Sequence, residues 1–232
     1  MDLAWDGTLS PTDFHFAALA FMNKWKRSSN ALPLWLWNDC IKHSLASQQE
    51  ADGYLSMEKF LHMHSEEIHN ESIFVQEKDG DLMSNDGVDD ATVKVLLDSV
   101  DEVIYFDFHI LYSPTYRLPV LFFRAYKFDG EPLMLREVEK TLPACTMKRF
   151  LESRWTFITQ EEHPQLKRPW FKIHPCGTCD WMKLLLGGSS LKKPVIMDQY
   201  LVSWFSVVGQ VVGVHTPLDT VLHTSLSIMH ML

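Results

Sequence analysis

Ten consecutive residues hold most of the chemistry this chain offers: Trp170-Phe171-Lys172-Ile173-His174-Pro175-Cys176-Gly177-Thr178-Cys179. Cys176 follows a proline that fixes the end of an extended run and precedes a glycine, so its side chain is expected at an exposed bend. It also lies just ahead of a helix expected to be capped by Thr178. The N–H groups and positive end of such a helix favour a thiolate. A thiolate there is a nucleophile, and His174 is placed to support it by charge or as a hydrogen-bond partner. The same residues permit other readings. A lone cysteine is commonly a small buried hydrophobe. Cys176 and Cys179 form Cys-x-x-Cys, which a thiol oxidoreductase would place at a helix start after a strand. A zinc site would need two more ligands, and Cys145 and His174 show no standard spacing for it. On the residues alone, nucleophile, redox pair and structural thiols all stay open.

Other catalytic signatures are missing. The chain has no Gly-x-Ser-x-Gly elbow, no Gly-x-x-x-x-Gly-Lys loop, no Gly-x-Gly-x-x-Gly turn and no His-Glu-x-x-His. His62, His64 and His69 lie in a polar stretch without ligand spacing, so no metal is expected there. The formal charge of −9 leaves no global basic footprint for nucleic acid. The acids are concentrated: residues 50–102 hold 15 acidic and 3 basic side chains. The centre of that block, residues 64–90, reads as a mobile surface insert, with recognition of a basic partner surface as the alternative. The most apolar stretch, Leu201 to Val214, is interrupted by Ser203, Ser206 and Gln210 and is too short for a membrane span. The first residues lack the basic and apolar pattern of a secretory signal. Four cysteines are too few for a disulfide scaffold, which fits a reduced, cytoplasmic setting.

Several elements must position the cysteine. Ser10 can cap a first helix, Pro11 suits its first position, and Asp13 complements its dipole. Phe14, Ala17, Ala18, Phe21, Met22 and Trp25 then recur at helical spacing and give it one apolar face. Tyr54 to Leu61 is a strand candidate. Val103 to Tyr112 and Leu118 to Tyr126, separated by Ser113-Pro114-Thr115-Tyr116, form an antiparallel hairpin. Leu133 to Leu142 suggests a short helix, and Phe171 to His174 is extended between Pro169 and Pro175. A helix from Thr178 to Leu186 stops at Gly187-Gly188. Asp198 to about Val212 is expected helical, although its valines leave a strand open. The sum is an α+β chain: one domain, residues 1–232, with an N-terminal helix on an antiparallel sheet of about four strands, followed by helices. No heptad pattern is sustained, so a monomer is expected.

His174-Pro175-Cys176 resembles the active site of the ubiquitin-like-conjugating enzymes of autophagy. Three further segments are similar to the autophagy-related protein ten family within them: Phe108 to Ala125, Ile158 to Pro164, and Tyr200 to Gly209. The resemblance runs from about Tyr105 to Gly213 and implies a ubiquitin-conjugating-like fold and a transferase. Its modifier, autophagy protein twelve, would reach Cys176 as a thioester from the activating enzyme, autophagy protein seven. It would leave for a lysine of autophagy protein five. His174, Tyr112 and Tyr116 are the supporting candidates, and Cys179 is a non-catalytic thiol on the following helix. Conventional ubiquitin-conjugating enzymes carry His-Pro-Asn, whose asparagine helps the oxyanion. The nearest string here is His163-Pro164-Gln165, 11 residues before the cysteine, where Gln165 is either an oxyanion donor or an ordinary loop residue. Two alternatives remain: the lipid-conjugating sibling, which shares His-Pro-Cys, and a non-catalytic protein that binds a partner along its hairpin edge.

Overall fold

The computed structural model describes residues 5–28, 32–40, 51–62, 103–143, 158–187 and 192–217. The insert expected at 64–90, with His64, His69 and Cys145, lies outside them. Helix α1 covers Pro11–Ser28 and is capped as its sequence predicts. The Asp13 amide donates to Ser10 Oγ at 3.1 Å and the Ser10 amide donates back to Asp13 Oδ2 at 3.3 Å. This reciprocal pair satisfies two of the amides a helix start leaves open. Phe14, Ala17, Ala18, Phe21 and Trp25 are buried along one face.

The sheet has six strands among the described residues, not about four. They are β1 (Leu36–Asp39), β2 (Gly53–His62), β3 (Ile104–Ser113), β4 (Leu118–Lys127), β5 (Ile158–Glu162) and β6 (Pro169–Ile173). The spatial order is β1-β2-β3-β4-β6-β5, and every pairing is antiparallel. The two unforeseen strands are its edges. β1 has only four residues, and β5 reads Ile-Thr-Gln-Glu-Glu, so neither shows an apolar alternation; short, charged strands are common at sheet edges. The remaining helices are α2 (Leu135–Thr141), α3 (Thr178–Leu186) and α4 (Lys193–Val211). α4 begins five residues before the expected Asp198 because Pro194, fixed near helical φ, sits in its first turn. Its valines stay helical because Trp204, Phe205, Val208 and their neighbours are buried against α1 and the sheet.

The period of two divides the sheet into unlike faces. Phe106, Phe108 and Ile110 of β3, Leu121, Phe123 and Ala125 of β4, and Phe171 and Ile173 of β6 join α1 and α4 in the main core. Aromatic edges fill the helix layer: Phe205 lies 5.5 Å from Phe21, 5.8 Å from Trp25 and 5.3 Å from Trp35. Among the described residues no helix covers the other face. There Leu111, Val120, Phe122 and Trp170 form a smaller cluster around buried polar groups.

The carboxylate among them is held from several sides. Asp107, 2% exposed, accepts from Arg124 Nε at 2.8 Å and lies 2.7 Å from its Nη2. The Tyr126 hydroxyl and the Lys59 amide also donate to it. Lys59 has φ 56° at the bulge where the β2–β3 register shifts, which turns its N–H toward the carboxylate. Beside this lies a histidine pair, His109 Nδ1 and His163 Nε2, 2.9 Å apart. His163 Nδ1 accepts the amides of Gln165 and Leu166, so its proton resides on Nε2 and points at His109. The His109 proton is then on Nε2, buried with no partner among the described residues. Burial, then the neighbouring positive groups, push His109 down to about 3 and His163 down to about 4.

Candidate active site

The ten-residue segment folds as a strand, a bend and a helix. Along β6, Phe171 and Ile173 point into the core while Trp170 and Lys172 lie on the opposite face. His174 continues that alternation at the strand end. Pro175 is buried and anchors the bend, whereas Cys176 and Gly177 are exposed. Gly177 has φ 74°, with open space around the position of an added Cβ. Its glycine is therefore required by backbone conformation and not by crowding. This left-handed residue is the N-cap of α3, so Thr178 is the first helical residue rather than the cap expected of it. Thr178 is buried, its amide donates to Pro175 O at 3.1 Å, and no side chain caps α3. The turn needs positive φ at position 177, and that requirement moves the helix start one residue on.

Cys176 is a free, exposed thiol. Its amide donates to His174 Nδ1 at 3.2 Å, and Sγ lies 4.0 Å from the His174 carbonyl. The first contact fixes the His174 ring against the bend and leaves its proton on Nε2. The Tyr116 ring stands edge-on to His174, with centroids 5.7 Å apart. Tyr116 is 43% exposed, at the β3–β4 turn. Cys176, His174 and Tyr116 thus form one solvent-facing group. The sulfur faces water, follows an anchored proline and precedes an uncapped helix start, which suits it to acyl capture and release.

The other expected residues lie elsewhere. Tyr112 donates its hydroxyl to the Leu9 carbonyl at 2.9 Å and packs its ring 5.7 Å from Phe14. Burial holds its phenol above the ordinary value, so it remains a proton donor in that bond. Cys179 is half-buried, with Sγ 3.7 Å from Asp180 Oδ1. Gln165 belongs to the loop held by His163, which faces His109 and not the cysteine. Gln165 also lines a cavity of about 200 Å³ with Tyr54, Phe122, Glu161 and Lys172; Cys176 is not part of its wall. Among the described residues no group of His, Cys, Asp and Glu could hold a metal ion, and no helix is long and apolar enough to cross a membrane.

Three features were missed in the sequence: the Asp107 cluster, the histidine pair, and the N-terminal segment 5–10 that reaches the site. The first two had a signal. Asp107 and His109 interrupt an otherwise apolar strand two residues apart, which puts both on one face.

Comparison with known proteins agrees with this segment-by-segment likeness. Residues 13–219 match the family described as "Autophagocytosis associated protein, active-site domain". The Arabidopsis thaliana "Ubiquitin-like-conjugating enzyme ATG10" is 47% identical over 220 residues, covering 92% of this chain and 95% of the relative. The Homo sapiens protein of the same name is 42% identical over 128 residues, covering 55% of this chain and 57% of the relative. A solved structure described as "Crystal structure of Autophagic E2, Atg10" aligns with 89% of this chain and 98% of its own, at 14% identity and a TM-score of 0.41. With the family match spanning 13–219 and a relative 47% identical along nearly its whole length, the chain belongs to the autophagocytosis-associated active-site family and is a ubiquitin-like-conjugating enzyme of autophagy.

Proposed function

We propose that Cys176 carries a ubiquitin-like modifier, autophagy protein twelve, as a thioester between two proteins. The observation that carries this reading is the exposed, unpaired Cys176 thiol at the bend between β6 and α3, with its amide on His174. In the first step the Cys176 thiolate attacks the carbonyl carbon of the thioester on the activating enzyme, autophagy protein seven. A new C–S bond forms, the old one breaks, and the donor enzyme's thiolate departs and takes up a proton. In the second step the neutral amine of a lysine on autophagy protein five attacks the same carbonyl. A C–N bond forms, the Cys176 thiolate leaves, and the amine's proton passes to solvent. Thioester exchange is nearly balanced, whereas the amide formed is far less reactive, so the second step gives direction. Neither step calls for a metal or organic cofactor.

The supporting groups divide by position. His174 and Tyr116 flank the sulfur and are placed to orient the acyl group, while Tyr112 acts at a distance through the backbone it holds. The enzyme works as a cytoplasmic monomer, without nucleic acid and without stable membrane insertion. Mixing it with activating enzyme, modifier and ATP gives a reductant-sensitive adduct. Cys176→Ala abolishes that adduct, and Cys176→Ser converts it to a reductant-resistant oxyester. An adduct that survives in Cys176→Ala sinks the proposal. Offering the modifier of the lipid-conjugating sibling alongside autophagy protein twelve decides which one is carried.

A further inference from the structure

The segment Trp5–Ser10 touches both sides of the site. Its Leu9 amide donates to the Arg117 carbonyl at 2.9 Å, and its Leu9 carbonyl accepts the Tyr112 hydroxyl at 2.9 Å. These bonds tie it to the β3–β4 turn that carries Tyr116. The Gly7 carbonyl accepts the buried Tyr200 hydroxyl at 2.9 Å, and Trp5 stands edge-on to the Tyr200 ring at 5.8 Å. This ties the segment to α4. Gly7 itself lies against α3: a Cβ on it would sit 2.3 Å from the Cys179 carbonyl oxygen and 3.1 Å from Lys183 Cγ. At φ 84° any other residue would also be strained there. Leu9 is fully buried in the main core, and Trp5 Nε1 donates to the Thr8 carbonyl, so the strap holds its own shape.

We propose that this strap is the positioning element of the reacting cysteine. It sets the distance between the first turn of α3, which follows Cys176, and the turn that carries Tyr116. Gly7 acts as the positioning residue through its fit against Cys179, and Tyr200 holds Gly7 in place. The inference rests on the reading of Cys176 as the acyl carrier for its consequence in the reaction. It stands on the contacts alone for its mechanical part.

Two variants test it on the full chain. Gly7→Ala must displace the backbone of α3 or the strap. A displacement approaching 1 Å at a reacting group costs on the order of 10²-fold in rate, so its transfer kcat falls by about that factor. Tyr200→Phe removes one hydrogen bond and lowers kcat by about 5-fold. In both variants the KM for acceptor and for activating enzyme is unchanged. The Asp180 and Trp181 amides exchange with deuterium faster, while the interior amides of α1 keep wild-type protection. A role in bulk stability alone would instead speed exchange everywhere and lower activity only in step with the folded fraction, and that pattern overturns the proposal. So does wild-type exchange at Asp180 and Trp181 in Tyr200→Phe, whichever way Gly7→Ala folds. If the wild-type enzyme forms no adduct on Cys176, the carrier reading fails; the exchange measurement still decides the strap.

Discussion

The two faces of β3 are made in opposite ways. Phe106, Phe108 and Ile110 point beneath α1 and α4 into the main core, where apolar burial dominates the layer. Asp107, His109 and Leu111 point to the other side, where the buried carboxylate is held by Arg124, Tyr126 and the Lys59 amide and the imidazole by His163 at one nitrogen. The first face tolerates shape errors in proportion to lost volume. The second depends on the pairing of Asp107, since a missing partner there leaves a buried charge stranded. Cys176 itself stands beyond the end of β6, past the last paired residue of the sheet.

The sharpest break of this comparison lies on the apolar side. Phe108 is fully buried and meets Phe60, Phe106 and Phe123 at centroid distances of 5.8, 5.6 and 6.4 Å. Phe108→Ala removes the ring and leaves a cavity, so unfolding in urea should show a loss of about 3–5 kcal/mol. A loss under about 1 kcal/mol would mean that this layer is not the main source of stability. On the polar side, Arg124→Met leaves Asp107, among the described residues, with Tyr126 and the Lys59 amide. Arg124 is 42% exposed, so water takes over part of its role, and the expected loss is about 2 kcal/mol. A value near zero would make this face an ordinary solvated surface.

The same contrast explains what the sequence makes legible. α1 and the β3–β4 hairpin follow from periodicity, capping and turn residues that are neighbours in the chain, and α3 from its apolar run and glycine stop, with its cap one residue earlier than expected. The exposed bend at Cys176 is legible because its proline, its glycine and the helix behind it are contiguous with it. The edges β1 and β5 are not, because an edge strand is defined by backbone pairing and needs no apolar pattern. The strap is the least legible part. The Tyr112 hydroxyl reaches Leu9 across 103 positions, and Tyr200 reaches Gly7 across 193. A glycine at position 7 gives no local sign that a carbonyl of α3 presses against it. The supporting role expected of Tyr112 looks different for the same reason: its partner is a remote backbone oxygen, which no spacing rule announces.

The histidine pair gives the smallest effect and the finest test of the two-face contrast. His109 and His163 are held neutral by burial, well below their ordinary value near 6.5. The unfolded chain therefore takes up their protons first as pH falls. Their contribution to stability is present above their ordinary value near 6.5 and is lost progressively as pH falls from there to about 4 for His163 and about 3 for His109. Between pH 7 and pH 6 the pair should cost the fold about 1 kcal/mol, read as a fall in the urea midpoint. His163→Asn keeps an acceptor for the Gln165 and Leu166 amides while removing one titrating ring, so it should roughly halve that slope. An unchanged slope would place the pH sensitivity elsewhere, for instance in the carboxylates. Apolar replacements in the other face, such as Phe106→Leu, lower the whole curve without changing its slope, because they bind no protons in either state.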